Sequence, residues 1–141
     1  MLVQTADCQP DPMQDWQVVT QAIPSDDLRR ELEFAWEIVR HIKSNAIALC
    51  TDRSLCGTGA GQMSRIDSVE IAIRKAGPRS RGAVLASDAF FPFPDSVRTA
   101  AAAGVAAIIQ HGGSKKDDQV IGACNELAMP MIFTGRRHFR H

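Results

Sequence analysis

From residue 83 onward, short apolar runs alternate with stretches of helical spacing: apolar at 83–86, helical at 97–103, apolar at 106–110, helical at 120–127, apolar at 131–134. Runs of four or five apolar residues with no polar alternation read as strands covered on both faces. Strands joined through helices lie parallel, so this half predicts an α/β chain whose sheet carries helices on its faces. Residues 46–50 and 55–58 read instead as an antiparallel hairpin around a turn at Asp52, Arg53 and Ser54. The predicted sheet is therefore mixed.

The first half also predicts one long helix. Ser25 is placed to cap it, Asp26 and Asp27 fall in its first turn, and Leu28, Leu32, Ala35, Val39 and Ile42 repeat at four- and three-residue steps. That stripe spans about five turns and ends near Lys43. A second helix is predicted over 68–76, closed by Gly77 and Pro78. Residues 16–20 read as a strand, and residues 2–4 as a short apolar piece suited to a sheet edge.

Composition excludes several classes of function. Lys plus Arg total 16 and Asp plus Glu total 16, which leaves no excess positive charge for coating a nucleic acid. The longest nearly unbroken apolar run, 100–109, is far short of the roughly 20 residues a bilayer span needs. The first twelve residues lack a basic stretch followed by an apolar one, so no secretory signal is expected, and the predicted location is the cytoplasm. Cys8, Cys50, Cys56 and Cys124 form no CxxC pair and no zinc-type spacing with histidine. They are expected to be buried free thiols, and no metal site is expected.

Four segments fall at strand ends or helix starts, where open α/β sheets bind ligands. Asn45, in Lys43-Ser44-Asn45, has an amide able to bond a substrate carbonyl; the alternative is a helix C-cap. Gly57, Gly59 and Gly61 lead to Arg65 and permit either close backbone approach to a ligand or a tight strand-to-helix turn. The spacing matches neither a Walker loop nor GxGxxG. Phe90, Phe91, Pro92 and Phe93 offer a rigid platform for a flat heterocycle, with Asp88 and Asp95 flanking it as acceptors for ring amines, or a plug between subunits. Arg136, Arg137 and Arg140 make a basic end suited to phosphate, or a solvated tail.

Five strings occur in order: Lys-Ser-Asn-Ala-Ile at 43–47, Gly-Ala-Gly-Gln-Met-Ser-Arg at 59–65, Ala-Ser-Asp-Ala-Phe-Phe-Pro-Phe at 86–93, Gly-Gly-Ser at 112–114 and Arg-His-Phe-Arg-His at 137–141. Together they closely resemble the C-terminal part of the bifunctional purine-biosynthesis enzymes that join AICAR transformylase to IMP cyclohydrolase. The resemblance runs from Leu2 onward. It implies a three-layer α/β/α, cytidine-deaminase-like fold, and a homodimer with active sites at the subunit interface. It implies formyl transfer from 10-formyltetrahydrofolate, as co-substrate, to the amine of AICAR. By the same resemblance Asn45 contacts substrate as a catalytic residue, Arg65 and Arg137 hold the nucleotide, and Phe90 and Pro92 flank its base. Ile66, Asp95 and Ser114 fall on the folate side.

The resemblance also carries departures. The family's catalytic Lys-His pair belongs to an earlier part of the transformylase region, and no Lys-His dipeptide occurs in these 141 residues. The chain thus reads as a single C-terminal subdomain, 1–141, without the cyclohydrolase domain or the first transformylase part, and inactive by itself. His111 stands where proline usually precedes Gly-Gly-Ser, and Cys56 where an aliphatic residue is usual. The alternatives to a transformylase portion are a non-catalytic nucleotide-binding or structural module, or a truncated fragment.

Overall fold

A computed structural model describes residues 15–135. The strands are β1 (Gln17–Val18), β2 (Ile47–Thr51), β3 (Ser54–Gly59), β4 (Val84–Ser87), β5 (Ala107–Gln110) and β6 (Met131–Phe133). The helices are α1 (Asp26–Val39), α2 (Arg65–Ala76), α3 (Asp95–Ala102) and α4 (Asp117–Glu126). One sheet runs in the order β1-β6-β5-β4-β2-β3. Its centre, β4-β5-β6, is parallel; β2 and β3 are antiparallel to each other, β2 to β4, and β1 to β6. The mixed α/β sheet is as expected, and residues 2–4 and Cys8 lie outside the described residues.

The strand pleat sorts side chains into two cores. Ile47, Leu49, Leu85, Ile108 and Met131 face a layer built on α2, α3 and α4. Ala48, Cys50, Val84, Ala86, Ala107 and Ile109 face α1. This second face is mostly small, so α1 can lay the fully buried Trp36 and Leu32 against it. Trp16 meets Trp36 edge-on, with ring centroids 6.3 Å apart. Two layers of helix around one sheet follow directly.

The long helix begins where expected: Ser25 accepts a hydrogen bond from the Leu28 amide at 3.2 Å. It ends at Val39, not near Lys43, because the His41 and Ile42 amides bond back three residues to Ile38 and Val39. That tightening ends the helix although the apolar spacing runs on to Ile42. The β2–β3 turn places Asp52 and Arg53 at φ of 51° and 55°, unfavourable for arginine. Glu31 of α1, 7% exposed, offsets this by accepting from both the Arg53 backbone amide and its guanidinium.

Gly61, at φ of 66°, makes the strand-to-helix turn, whereas Gly57 and Gly59 lie within β3 and serve helix packing and not ligand approach. A Cβ on Gly57 would lie 2.2 Å from the Ala72 carbonyl oxygen, and one on Gly59 would lie 2.0 Å from that of Ser68. They let the backbone of α2 press against β3, which fixes where α2 begins.

Cys50, Cys56 and Cys124 are buried free thiols, as expected. Burial pushes Cys50 and Cys124 from the ordinary 9.0 up to about 12. Because the folded values lie above the unfolded one, their contribution to stability is complete below about pH 9 and is lost as pH rises through about 12. Urea midpoints should fall steadily above pH 9, and site-resolved alkylation at pH 8 should label Cys50 and Cys124 only in denaturant; ready native labelling would contradict this packing. Gly59→Ala should cost about 2–3 kcal/mol by urea unfolding, through the clash with the Ser68 carbonyl.

Candidate functional site

A cavity of about 520 Å³ opens at the carboxyl end of β4, between the starts of α2 and α3. Asn45, Arg65, Ile66, Phe90, Pro92 and Asp95 all line it. Met63, Ser64, Phe93 and Ser96 contribute too. Six of the eight residues assigned by sequence thus converge from three segments. Ser114 does not line this cavity, and Arg137 lies outside the described residues.

One charged network holds the floor. Asp88, fully buried, follows β4 and forms an ion pair with Arg65. Its carboxylate also accepts from the Ser44 hydroxyl, and from the Ala46 amide at 3.2 Å. This differs from the sequence reading of Asp88 as an acceptor for ring amines: its oxygens face the protein's own donors. Arg65 itself is 8% exposed. It further donates to the Asn45 side-chain oxygen at 2.8 Å and the Ala46 carbonyl at 3.4 Å. Of the five N–H groups of a guanidinium, these bonds use three, leaving two at the cavity wall.

Asn45 is not a helix cap, since α1 closes at Arg40. Its side-chain nitrogen donates to the Gln62 carbonyl at 2.9 Å, and its own carbonyl accepts from Ser68 Oγ at 2.6 Å. The Gly61 amide bonds Lys43 O at 2.9 Å, stitching the same two segments. The amide of Asn45 is therefore fixed at both ends, with one N–H and one oxygen lone pair to spare. The pairings of Ser44, Gln62 and Ser68 left no signal in the sequence, because each acts across 17 to 44 residues of chain.

The opposite wall is aromatic. Phe90 is half-buried and Phe93 is 51% exposed, while Phe91 points away into the core. Ser64 caps α2 by accepting from the Asp67 amide at 3.3 Å. Asp95 opens α3, and its carboxylate accepts from the Ser96 amide at 2.8 Å. Ser96 was not singled out from sequence. Ser96 lines the cavity, and its buried hydroxyl has no hydrogen-bond partner among the described residues.

Ser114 sits on the next loop, at the start of α4. Its hydroxyl accepts from the Lys116 amide at 3.1 Å, and its amide donates to Asp117 at 3.1 Å. Lys116 Nζ lies 5.3 Å from the centre of the Phe93 ring, tying this loop to the aromatic wall. His111 lines a separate cleft of about 320 Å³ with Gly112, Gly113, Asp15 and Phe133. Gly112 has φ of 81°, and a Cβ there would meet the Phe133 ring at 2.5 Å, so the turn admits only glycine. Among the described residues no group of three or more His, Cys, Asp or Glu could hold a metal ion, and no helix is long and apolar enough to cross a membrane.

Residues 1–75 match the AICARFT/IMPCHase bienzyme family. The bifunctional purine biosynthesis protein PurH of Rhodopirellula baltica is 61% identical over 141 residues, all of this chain and 27% of that protein. Its counterpart from Synechocystis is 56% identical over 140 residues, 99% of this chain and 27% of that protein. The chain thus spans about a quarter of the length of these relatives. Among solved structures, RibD of Acinetobacter baumannii (form 2) superposes with a TM-score of 0.53 at 12% identity, over 76% of this chain and 34% of that one. That likeness concerns the fold, which is cytidine-deaminase-like, as the sequence implied.

The network gives a sharp expectation. Asp88→Ala leaves Arg65 buried without its carboxylate, and should cost about 3–5 kcal/mol by urea unfolding. A loss under 1 kcal/mol would show that the pair does not hold the floor.

Proposed function

This chain belongs to the AICARFT/IMPCHase bienzyme family, and from that premise we propose that it is the C-terminal subdomain of the AICAR transformylase region. The observation that carries this reading is the convergence of Asn45, Arg65, Ile66, Phe90, Pro92 and Asp95 on one cavity. These residues are separated by up to 50 positions in the chain, yet they present an arginine, a fixed amide, aromatic and proline faces and a carboxylate to one volume. That set suits a phosphorylated nucleotide with a flat base beside a second, pterin-like ring.

In this reading the cavity binds AICAR and 10-formyltetrahydrofolate side by side. The AICAR amine attacks the formyl carbon; a new C–N bond forms as the bond from that carbon to folate N10 breaks, and the amine proton leaves for N10. We assign the spare N–H of Asn45 to the formyl oxygen, where it would donate as charge gathers on that atom. Phe90 and Pro92 hold the base flat, and Asp95 binds the folate side. Arg65 offers its remaining N–H groups to the phosphate, and Arg137, which lies outside the described residues, is assigned to the nucleotide by the family resemblance alone. No Lys-His dipeptide occurs in this sequence, so we assign the proton transfer to the earlier part of the transformylase region, where the resemblance places that pair. The open rim at Met63 and Phe93, both exposed, is where that part or a second subunit closes the site.

Calorimetry on the 141-residue chain separates this from a merely structural module. AICAR should bind weakly, and its nucleoside, lacking the 5′-phosphate, roughly ten- to a hundred-fold more weakly still. Phe90→Ala should cost roughly three- to tenfold through lost ring contact. Arg137→Ala is the cleaner test of the phosphate, because Arg65→Ala would also strand Asp88. Equal affinity for nucleotide and nucleoside would overturn the phosphate assignment, and formyl transfer by the chain alone would overturn the placement of the proton-transfer group elsewhere.

A further inference from the structure

We propose that Gln110 is a positioning residue for this cavity, whose single amide oxygen ties the aromatic loop to the Gly-Gly-Ser loop. Gln110 ends β5 and is fully buried. Its Oε1 accepts from the Phe91 amide at 3.1 Å and from the Gly112 amide at 3.3 Å. Its Nε2 donates to the Met131 sulfur at 3.4 Å. Two backbone donors demand an acceptor, which settles which end of the amide faces the loops.

A buried amide at a strand end is costly beside an aliphatic residue of similar size, unless its acceptor is needed. Here it is needed twice. The Phe91 ring is fully buried, so its backbone N–H is out of reach of water and has to be satisfied internally. Anchored at both ring and amide, Phe91 sets the direction of its neighbours Phe90 and Pro92, which line the cavity. Gly112, held by the same oxygen, begins the 112–114 turn, and Asp117 then fixes the amides of Gly113 and Ser114 at 2.8 and 3.1 Å. One atom thereby spaces the wall assigned to the base from the loop assigned to the folate. The Lys116–Phe93 contact is a second, exposed tie between the same loops.

The inference rests on the cavity being the nucleotide site, and the test keeps the two apart. Gln110→Met removes the acceptor at similar volume, whereas Gln110→Glu retains one. Amide hydrogen exchange at Phe91 and Gly112 reads the tie without any ligand, calorimetry with AICAR reads its consequence, and Trp16 and Trp36 emission reports folding from the opposite layer. In Gln110→Met both amides should exchange at least about tenfold faster together, and AICAR should bind about tenfold more weakly. Gln110→Glu should bring both readings back to within about threefold of wild type. Unchanged exchange in Gln110→Met, a change at only one of the two amides, or equal losses in the Met and Glu variants would overturn the proposal. Should the wild type bind no AICAR, the nucleotide reading fails while exchange still decides the tie. If Gln110→Met loses native tryptophan emission, Gln110→Asn replaces it: its shorter arm reaches at most one amide, and unchanged exchange there is equally fatal.

Discussion

The buried ion pair between Arg65 and Asp88 is the contact on which the cavity depends. Two charges this far from water are tolerated only when attraction and hydrogen bonding replace lost hydration. The structure supplies both: Asp88 gathers Ser44, the Ala46 amide and Arg65, while Arg65 reaches on to Asn45. The start of β2, the end of β4 and the first residue of α2 are thereby drawn to one point. Sheet pairing already places β2 beside β4; the ion pair adds the helix and so closes the floor.

How close α2 can come is decided by packing, not charge. Gly57 and Gly59 remove the only atoms that would hold the helix off β3. The sheet's other face solves the same problem differently, with alanines and valines making room for Trp36. The consequences differ as well. The α1 layer is a closed core, whereas the α2 and α3 layer ends in an open wall with Met63 fully exposed.

Arg65 also shows why a residue's type is a poor guide to its availability. Arginine near a helix start and a glycine-rich segment reads as an anion site. In the folded chain most of its guanidinium is occupied by protein partners, so what it offers a ligand is a residual edge held in a fixed position. That makes it a rigid wall group and not a mobile hook.

Element type, order and class were legible in the sequence because they rest on periodicity within a few residues: apolar strands at 84–87 and 107–110, and the Ser25-capped helix, appear where local pattern places them. Local features singled out the segments of Asn45, Arg65, Phe90, Pro92 and Asp95, and the family resemblance added Ile66 and the roles, but nothing local marks Asn45 or Pro92 as neighbours of Arg65. What tertiary structure alone decided was who faces whom. It ended α1 at Val39 despite continuing apolar spacing, turned Gly57 and Gly59 toward a helix instead of a ligand, and gave Asp88 to Arg65. Each outcome is set by atoms many residues away in the chain, where steric contact and low dielectric act at short range in space and leave no periodic trace along the backbone.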